Sequence, residues 1–130
     1  HMALGDWSHQ ALEAYSGGAI YSIEFSLEAS HLGCAIELDL GHVKVAGEVS
    51  VNGKTVGVGL ARPFTFDLDG FCTAGTNHLQ VRVYNTMANH YDVAFPSAYV
   101  FAGHTESGLL GPVEIRFYNR VRITALPLSI

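Results

Sequence analysis

Residues 35–58, AIELDLGHVKVAGEVSVNGKTVGV, decide the fold, because they hold the clearest apolar–polar alternation in the chain together with a tight turn. Ile36, Leu38 and Leu40 alternate with Glu37 and Asp39. Val45, Gly47, Val49 and Val51 then alternate with Ala46, Glu48 and Ser50. A period of two belongs to half-buried strands. Asn52-Gly53 separates this run from Val56 and Val58, and Asn-Gly supplies the positive φ angles that a two-residue type I′ turn needs at both central positions. A hairpin is expected here.

Outward from that hairpin the same period recurs. Upstream, Tyr21, Ile23, Phe25 and Leu27 alternate with Ser22, Glu24 and Ser26, a strand with one apolar face. Downstream, Arg62-Pro63 interrupts the chain, and Phe64, Phe66 and Leu68 alternate with Thr65, Asp67 and Asp69. Asp67 reads as a residue that hydrogen-bonds the turn after it. Gly75-Thr76-Asn77 leads into Leu79, Val81 and Val83. Near the end, Val113, Ile115 and Phe117 form another strand pattern that Val121, Ile123 and Ala125 continue past Asn119-Arg120. Between these lies residues 85–111, NTMANHYDVAFPSAYVFAGHTESGLLG, with no sustained period. A loop this long in a compact domain is uncommon and usually functional. Many short strands with no sustained helical pattern predict an all-β, antiparallel β-sandwich.

The chain has 130 residues, 48% of them hydrophobic and 15% charged, which excludes disorder and predicts one domain over residues 3–130 after a His1-Met2 cloning scar. A net charge of −5 with seven scattered Lys and Arg offers no footprint for a phosphate backbone, so nucleic acid is not an expected partner. No run approaches the roughly 18 apolar residues of a membrane helix, and no basic segment followed by an apolar stretch marks a signal peptide. Cys34 and Cys72 read as two small buried thiols. The seven histidines form no HxH or HExxH spacing, which argues against a transition-metal centre. Trp7, with so much area to bury, reads as a plug over the core, the alternative being a sugar-stacking platform.

ELDLG, VNGKTVG, RPFTFDL, AGTNHLQVRVYNT and SGLLGPV occur in an order that resembles the sugar-binding β-sandwich domain of family-2 glycoside hydrolases, and more closely the accessory β-sandwich of large bacterial α-L-rhamnosidase-type enzymes. The likeness runs from Gly5-Asp6-Trp7-Ser8 to the last strand. It implies a galactose-binding-like jelly roll cut from a larger multidomain enzyme, with carbohydrate and the parent's catalytic domain as partners. Two aromatics of the family pattern are missing, since Gly59-Leu60-Ala61-Arg62 and Met87-Ala88 stand where tryptophans often occur. Such domains often carry a structural calcium, for which Asp6, Asp67, Asp69 and Glu106 are the candidate acids; they share no loop motif, and no cofactor is expected.

Glycoside hydrolysis needs two facing carboxylates about 5–9.5 Å apart. Glu24, Glu37, Asp39, Glu48 and Glu114 alternate with core residues, which puts them on solvated sheet faces. Neither a GxSxG elbow nor a P-loop is present. A non-catalytic, carbohydrate-binding accessory module is therefore expected. Sugars are held by planar hydrogen bonding beside an aromatic face, and Asn89, His90, Tyr91, Tyr99, His104 and Glu106 supply that mixture in the long loop. Arg62, beside Pro63, adds fixed donors. The competing expectation is an interdomain packing module without sugar binding, using Phe95, Tyr99, Val100 and Phe101.

Overall fold

The computed structural model describes residues 3–93, 100 and 103–124, and these fold as an antiparallel β-sandwich. Its strands are β1 (Gly18–Leu27), β2 (Ala35–Asp39), β3 (His42–Lys44), β4 (Ala46–Val51), β5 (Lys54–Gly59), β6 (Thr65–Asp67), β7 (Gly75–Tyr84), β8 (Gly108–Gly111) and β9 (Glu114–Tyr118). One helix, α1, spans Ala88–Val93, and short 3-10 turns cover Trp7–His9 and Ala29–Gly33. The first sheet runs β1-β7-β4-β5 and the second β6-β2-β9. The ribbon β3-β8 joins them where β2 ends and β4 begins.

Alternation explains which face each strand buries. In β7, Asn77, Leu79, Val81 and Val83 point inward while His78, Gln80, Arg82 and Tyr84 face solvent. Opposite them Ile36 and Leu38 of β2 are buried, with Phe64, Phe66 and Leu68 around β6. Removing a fully buried aliphatic from such a layer, as in Leu38→Ala, costs about 2–5 kcal/mol. Asn52 and Gly53 have φ of 51° and 78°, the two left-handed positions of the hairpin turn between β4 and β5. Buried Asn77 ties that hairpin to the turn before β7, accepting from Asn52 Nδ2 at 2.9 Å and from the Thr73 amide at 2.8 Å while donating to the Thr73 carbonyl at 2.8 Å.

Several readings from sequence need correction. Val45 is not part of the apolar face of β4: it sits at the corner between β3 and β4, 40% exposed, and Val43 takes the inward position instead. Ile23 lies on the inward phase of β1 yet is 62% exposed, because no strand covers it there. The stretch 85–111 is not wholly irregular, since it contains α1 and β8. Both were hidden by Gly108, Gly111 and a helix too short to establish a period. Residues 121–124 lie outside any strand, and Ala125 lies outside the described residues.

Other readings hold. Trp7 is fully buried, with its indole N–H donating to the Tyr21 hydroxyl at 2.7 Å, so it caps the core. Asp67 accepts from the Asp69 amide at 2.8 Å. Cys34 and Cys72 are free but only half-buried, short of the burial expected of them, and burial, with Asp69 nearby, pushes the Cys72 thiol up.

Candidate functional site

The ribbon β3-β8 places a polar band on the surface. Val43 is buried between His42 and Lys44, so those two side chains leave the same side of β3, about 7 Å apart along the strand. Pairing of His42 with Gly111 and of Lys44 with Gly108 puts only glycine across the ribbon from each, and both residues are half-buried. Gly41 must lack a side chain here, because a Cβ would lie 2.5 Å from the Gly111 carbonyl carbon.

Two shallow depressions flank this strand. The first, about 370 Å³, is lined by Asp39, Gly41, His42, Arg62, Pro63, Phe64 and Gly111. Asp39 accepts from the Gly41 amide at 2.8 Å with one oxygen and pairs with Arg116 at 2.8 Å through the other. Arg116 is also held by Glu114 at 2.9 Å, and that hydrogen bond, with the Asp39 charge, raises its pKa further. Arg62 is exposed and has no ion-pair partner among the described residues, so its donors face solvent. The second depression, about 250 Å³, is lined by Lys44, Val45, Thr86, Ala88, Gly103, His104 and Glu106. Lys44 Nζ stands 3.8 Å from Glu106 Oε2.

The sequence-derived candidates thus divide. Arg62 lines one depression, and His104 and Glu106 share the other with Lys44. His90 and Tyr91 sit together on α1 with their rings edge to face at 5.6 Å, and Tyr91 is 47% exposed. Asn89 is fully buried and works as a joint: its Nδ2 donates to the Thr105 carbonyl at 2.8 Å, and its Oδ1 accepts from Ser107 Oγ at 3.0 Å and Asn85 Nδ2 at 3.3 Å. It can therefore hold the 105–107 segment but cannot touch a surface ligand. Tyr99, Phe95 and Phe101 lie outside the described residues. Asp39, His42 and Lys44 were missed because strand residues read as scaffold; the signal was His42, a polar residue directly after the Gly41 break.

The band offers cationic and imidazole donors together with acids, a composition that hydrogen-bonds hydroxyl-rich ligands. Its two carboxylates, Asp39 and Glu106, lie in separate depressions, each beside a cation. Asp6, Asp67, Asp69 and Glu106 do not converge, and no group of three metal-binding side chains comes together among the described residues. Asp6 serves its own turn. Burial opposes its charge, but hydrogen bonds from Ser8 and from the Ser107 amide outweigh that and lower its pKa.

Fold and surface define an antiparallel β-sandwich module with a polar band along the β3-β8 ribbon. No protein-family model matches the chain. It is similar to a Formosa agariphila protein described as a β-glucuronidase, with 36% identity over 66% of this chain and 8% of that protein. Among solved structures it is similar to a rhamnosidase from Novosphingobium sp. PP1Y, with 33% identity, a TM-score of 0.65, and coverage of 78% of this chain and 11% of the other. A β-D-mannosidase from Dictyoglomus thermophilum shares the fold, with a TM-score of 0.66 at 18% identity over 92% of this chain and 18% of the enzyme. The chain spans under a fifth of the length of each, and it fits as a small piece of a glycoside hydrolase.

Proposed function

We propose that this chain is a non-catalytic, galactose-binding-like accessory module of a larger glycoside hydrolase, and that it contacts carbohydrate through the band of Arg62, Asp39, His42, Lys44, His104 and Glu106. The observation that carries this reading is the match to a short stretch, 8–18%, of much longer glycosidase chains. The carboxylates that do come together, Asp39 and Glu114, are both engaged by the Arg116 guanidinium at 2.8 and 2.9 Å, which supports the non-catalytic part, since hydrolysis needs a facing pair open to the substrate. Titration calorimetry of the purified chain against rhamnose, glucuronate, mannose, galactose and plant polysaccharides tests it. Weak binding that is lost in Arg62→Ala is the expected result; silence across the panel removes the sugar-binding claim, and turnover of an aryl glycoside removes the non-catalytic one.

A second reading, a packing module against the parent's catalytic domain, is favoured by one observation. Val58 and Leu60, just before Arg62, are 60% and 74% exposed. Apolar side chains projecting beside a cation suit a protein–protein contact. Retention of full sugar affinity in Leu60→Asp, with loss of binding to the separately expressed catalytic domain, would separate the two roles.

A further inference from the structure

Asn52-Gly53 shapes the tip of the β4-β5 hairpin, and it is also a reactive pair. Of the five asparagines, Asn52 alone is followed by glycine. With no Cβ on the next residue, the Gly53 backbone nitrogen is free to approach the side-chain carbonyl carbon of Asn52. Gly53 is exposed, and nothing lies within 4 Å of where its Cβ would stand, so water and base reach the pair. The Asn52 amide, however, is fully occupied elsewhere. Its Nδ2 donates to the Phe71 carbonyl at 3.0 Å and to Asn77 Oδ1 at 2.9 Å, and its Oδ1 accepts from the His78 amide at 2.9 Å. These partners lie just before β7 or in its first residues, and Asn77 is fully buried. The Asn52 backbone N–H adds a bond to the His78 carbonyl at 2.8 Å.

We propose that Asn52 is a deamidation site latched by the fold, closed while the hairpin tip is docked on residues 71–78 and converted irreversibly once the tip opens. In the reaction the Gly53 nitrogen loses its proton to solvent base and bonds to Asn52 Cγ. The Cγ–Nδ2 bond breaks, and that nitrogen takes up a proton and leaves as ammonia. Water then opens the cyclic imide at either carbonyl, giving aspartate or isoaspartate. A net hydrogen bond is worth about a fivefold factor, so the three side-chain bonds hold the reactive geometry down by roughly a hundredfold. Neither product can close the latch again. Aspartate puts a carboxylate oxygen where Nδ2 was, facing the Phe71 carbonyl and Asn77 Oδ1, acceptors with no proton between them. Asn77 cannot turn its own donors to that carboxylate without giving up the Thr73 and Gly75 carbonyls. Isoaspartate lengthens the main chain inside the turn that pairs Val51 with Lys54. This inference is independent of whether the polar band binds sugar.

Peptide mapping by mass spectrometry in mildly alkaline buffer tests it on the full chain, folded and in unfolding urea, and on Asn77→Ala. Conversion at Asn52 should be roughly a hundredfold slower in the folded chain than in the unfolded one, where it should outpace the other asparagines. Asn77→Ala removes one bond of the latch and should raise the folded-state rate about fivefold or more. Asn52→Asp, the product itself, carries the test if Asn77→Ala fails to fold: hydrogen exchange at the residue 52 and His78 amides should quicken about tenfold relative to the parent chain. A folded chain that converts as fast as the unfolded one, or an unchanged folded-state rate in Asn77→Ala, overturns the latch. Equal rates at all the asparagines in urea overturn the reactive pair, and parent-like exchange in Asn52→Asp overturns the irreversible opening.

Discussion

Asn89→Ala separates a joint from a ligand contact, and the structure sets the size of the effect. The substitution deletes three hydrogen bonds at a position with no solvent exposure: to the Thr105 carbonyl at 2.8 Å, from Ser107 Oγ at 3.0 Å and from Asn85 Nδ2 at 3.3 Å. Each is worth about 1 kcal/mol net, and a partner left unsatisfied costs more. The partners here have fallbacks. Ser107 Oγ also reaches the Thr105 carbonyl at 3.2 Å, and Asn85 Nδ2 keeps the Tyr15 carbonyl at 2.7 Å. The expected loss is therefore about 2–3 kcal/mol, or roughly 6–12 °C in melting temperature for a domain of this size. Urea unfolding should show a lower midpoint with an unchanged slope, because the exposed area on unfolding is the same. Tyr91→Ala, two residues away and half exposed, should cost less than about 0.5 kcal/mol. A loss under about 1 kcal/mol for Asn89→Ala, or equal losses for the two variants, would refute the assignment of Asn89 as a buried joint.

Three further outcomes follow from the geometry. Gly108→Ala should cost about 3 kcal/mol or more in chemical denaturation, because φ is +114° and the new Cβ would lie 2.6 Å from Trp7 Nε1 and 2.8 Å from the Gly5 carbonyl oxygen; a wild-type midpoint would contradict that packing. Arg62→Ala and His42→Ala should each weaken sugar binding by about tenfold, near 1.4 kcal/mol, with thermal melts essentially unchanged, since neither side chain is buried; unfolding with intact binding would make both scaffold. Asp6 has a lowered pKa in the fold, so its contribution is complete above the unfolded value of 3.8 and is lost as the pH falls through the lower folded value. Asp6→Ala should accordingly be destabilised at pH 7, with the gap to the parent chain narrowing as the pH falls below 3.8; a gap independent of pH would show that the charge is irrelevant.

Sequence made the strands legible because each buries one face, and burial of one face writes a period of two. Ile36 and Leu38, Val49 and Val51, Phe64 and Phe66, and Leu79 to Val83 all lie where that period puts them. Legibility stopped where a residue's environment depends on a neighbour far away in sequence. Ile23 fits the inward phase of β1, yet its exposure depends on whether any strand lies below it. Asn89 has the chemistry of a sugar ligand, and only the packing of α1 on residues 105–107 turns it inward. The polar band was half visible for the same reason: Arg62, His104 and Glu106 stood out in irregular chain, whereas Asp39, His42 and Lys44 were masked by the strand pattern that carries them.

What holds the band in place is not the loop but the N-terminal segment. The Gly5 amide donates to the Leu109 carbonyl and the Trp7 amide to the Ser107 carbonyl, both at 2.9 Å, while the Ser107 amide donates to Asp6 Oδ1 at 3.2 Å. β8 is thus clasped on one side by residues 5–7 and on the other by β3. The clasp is anchored in turn, because the Trp7 indole N–H donates to the Tyr21 hydroxyl, which also accepts from the Leu109 amide at 3.4 Å. One hydrogen-bonded aromatic pair, buried Trp7 and half-buried Tyr21, therefore links the first strand of the sandwich to the ribbon from which His42 and Lys44 project. Short-range exposure at the surface and long-range rigidity beneath it are the conditions under which a few polar side chains can hold fixed positions toward a ligand. Since Gly108 must approach Trp7 within van der Waals contact to complete that link, the smallest residue in the ribbon does as much to position the band as the charged residues that form it.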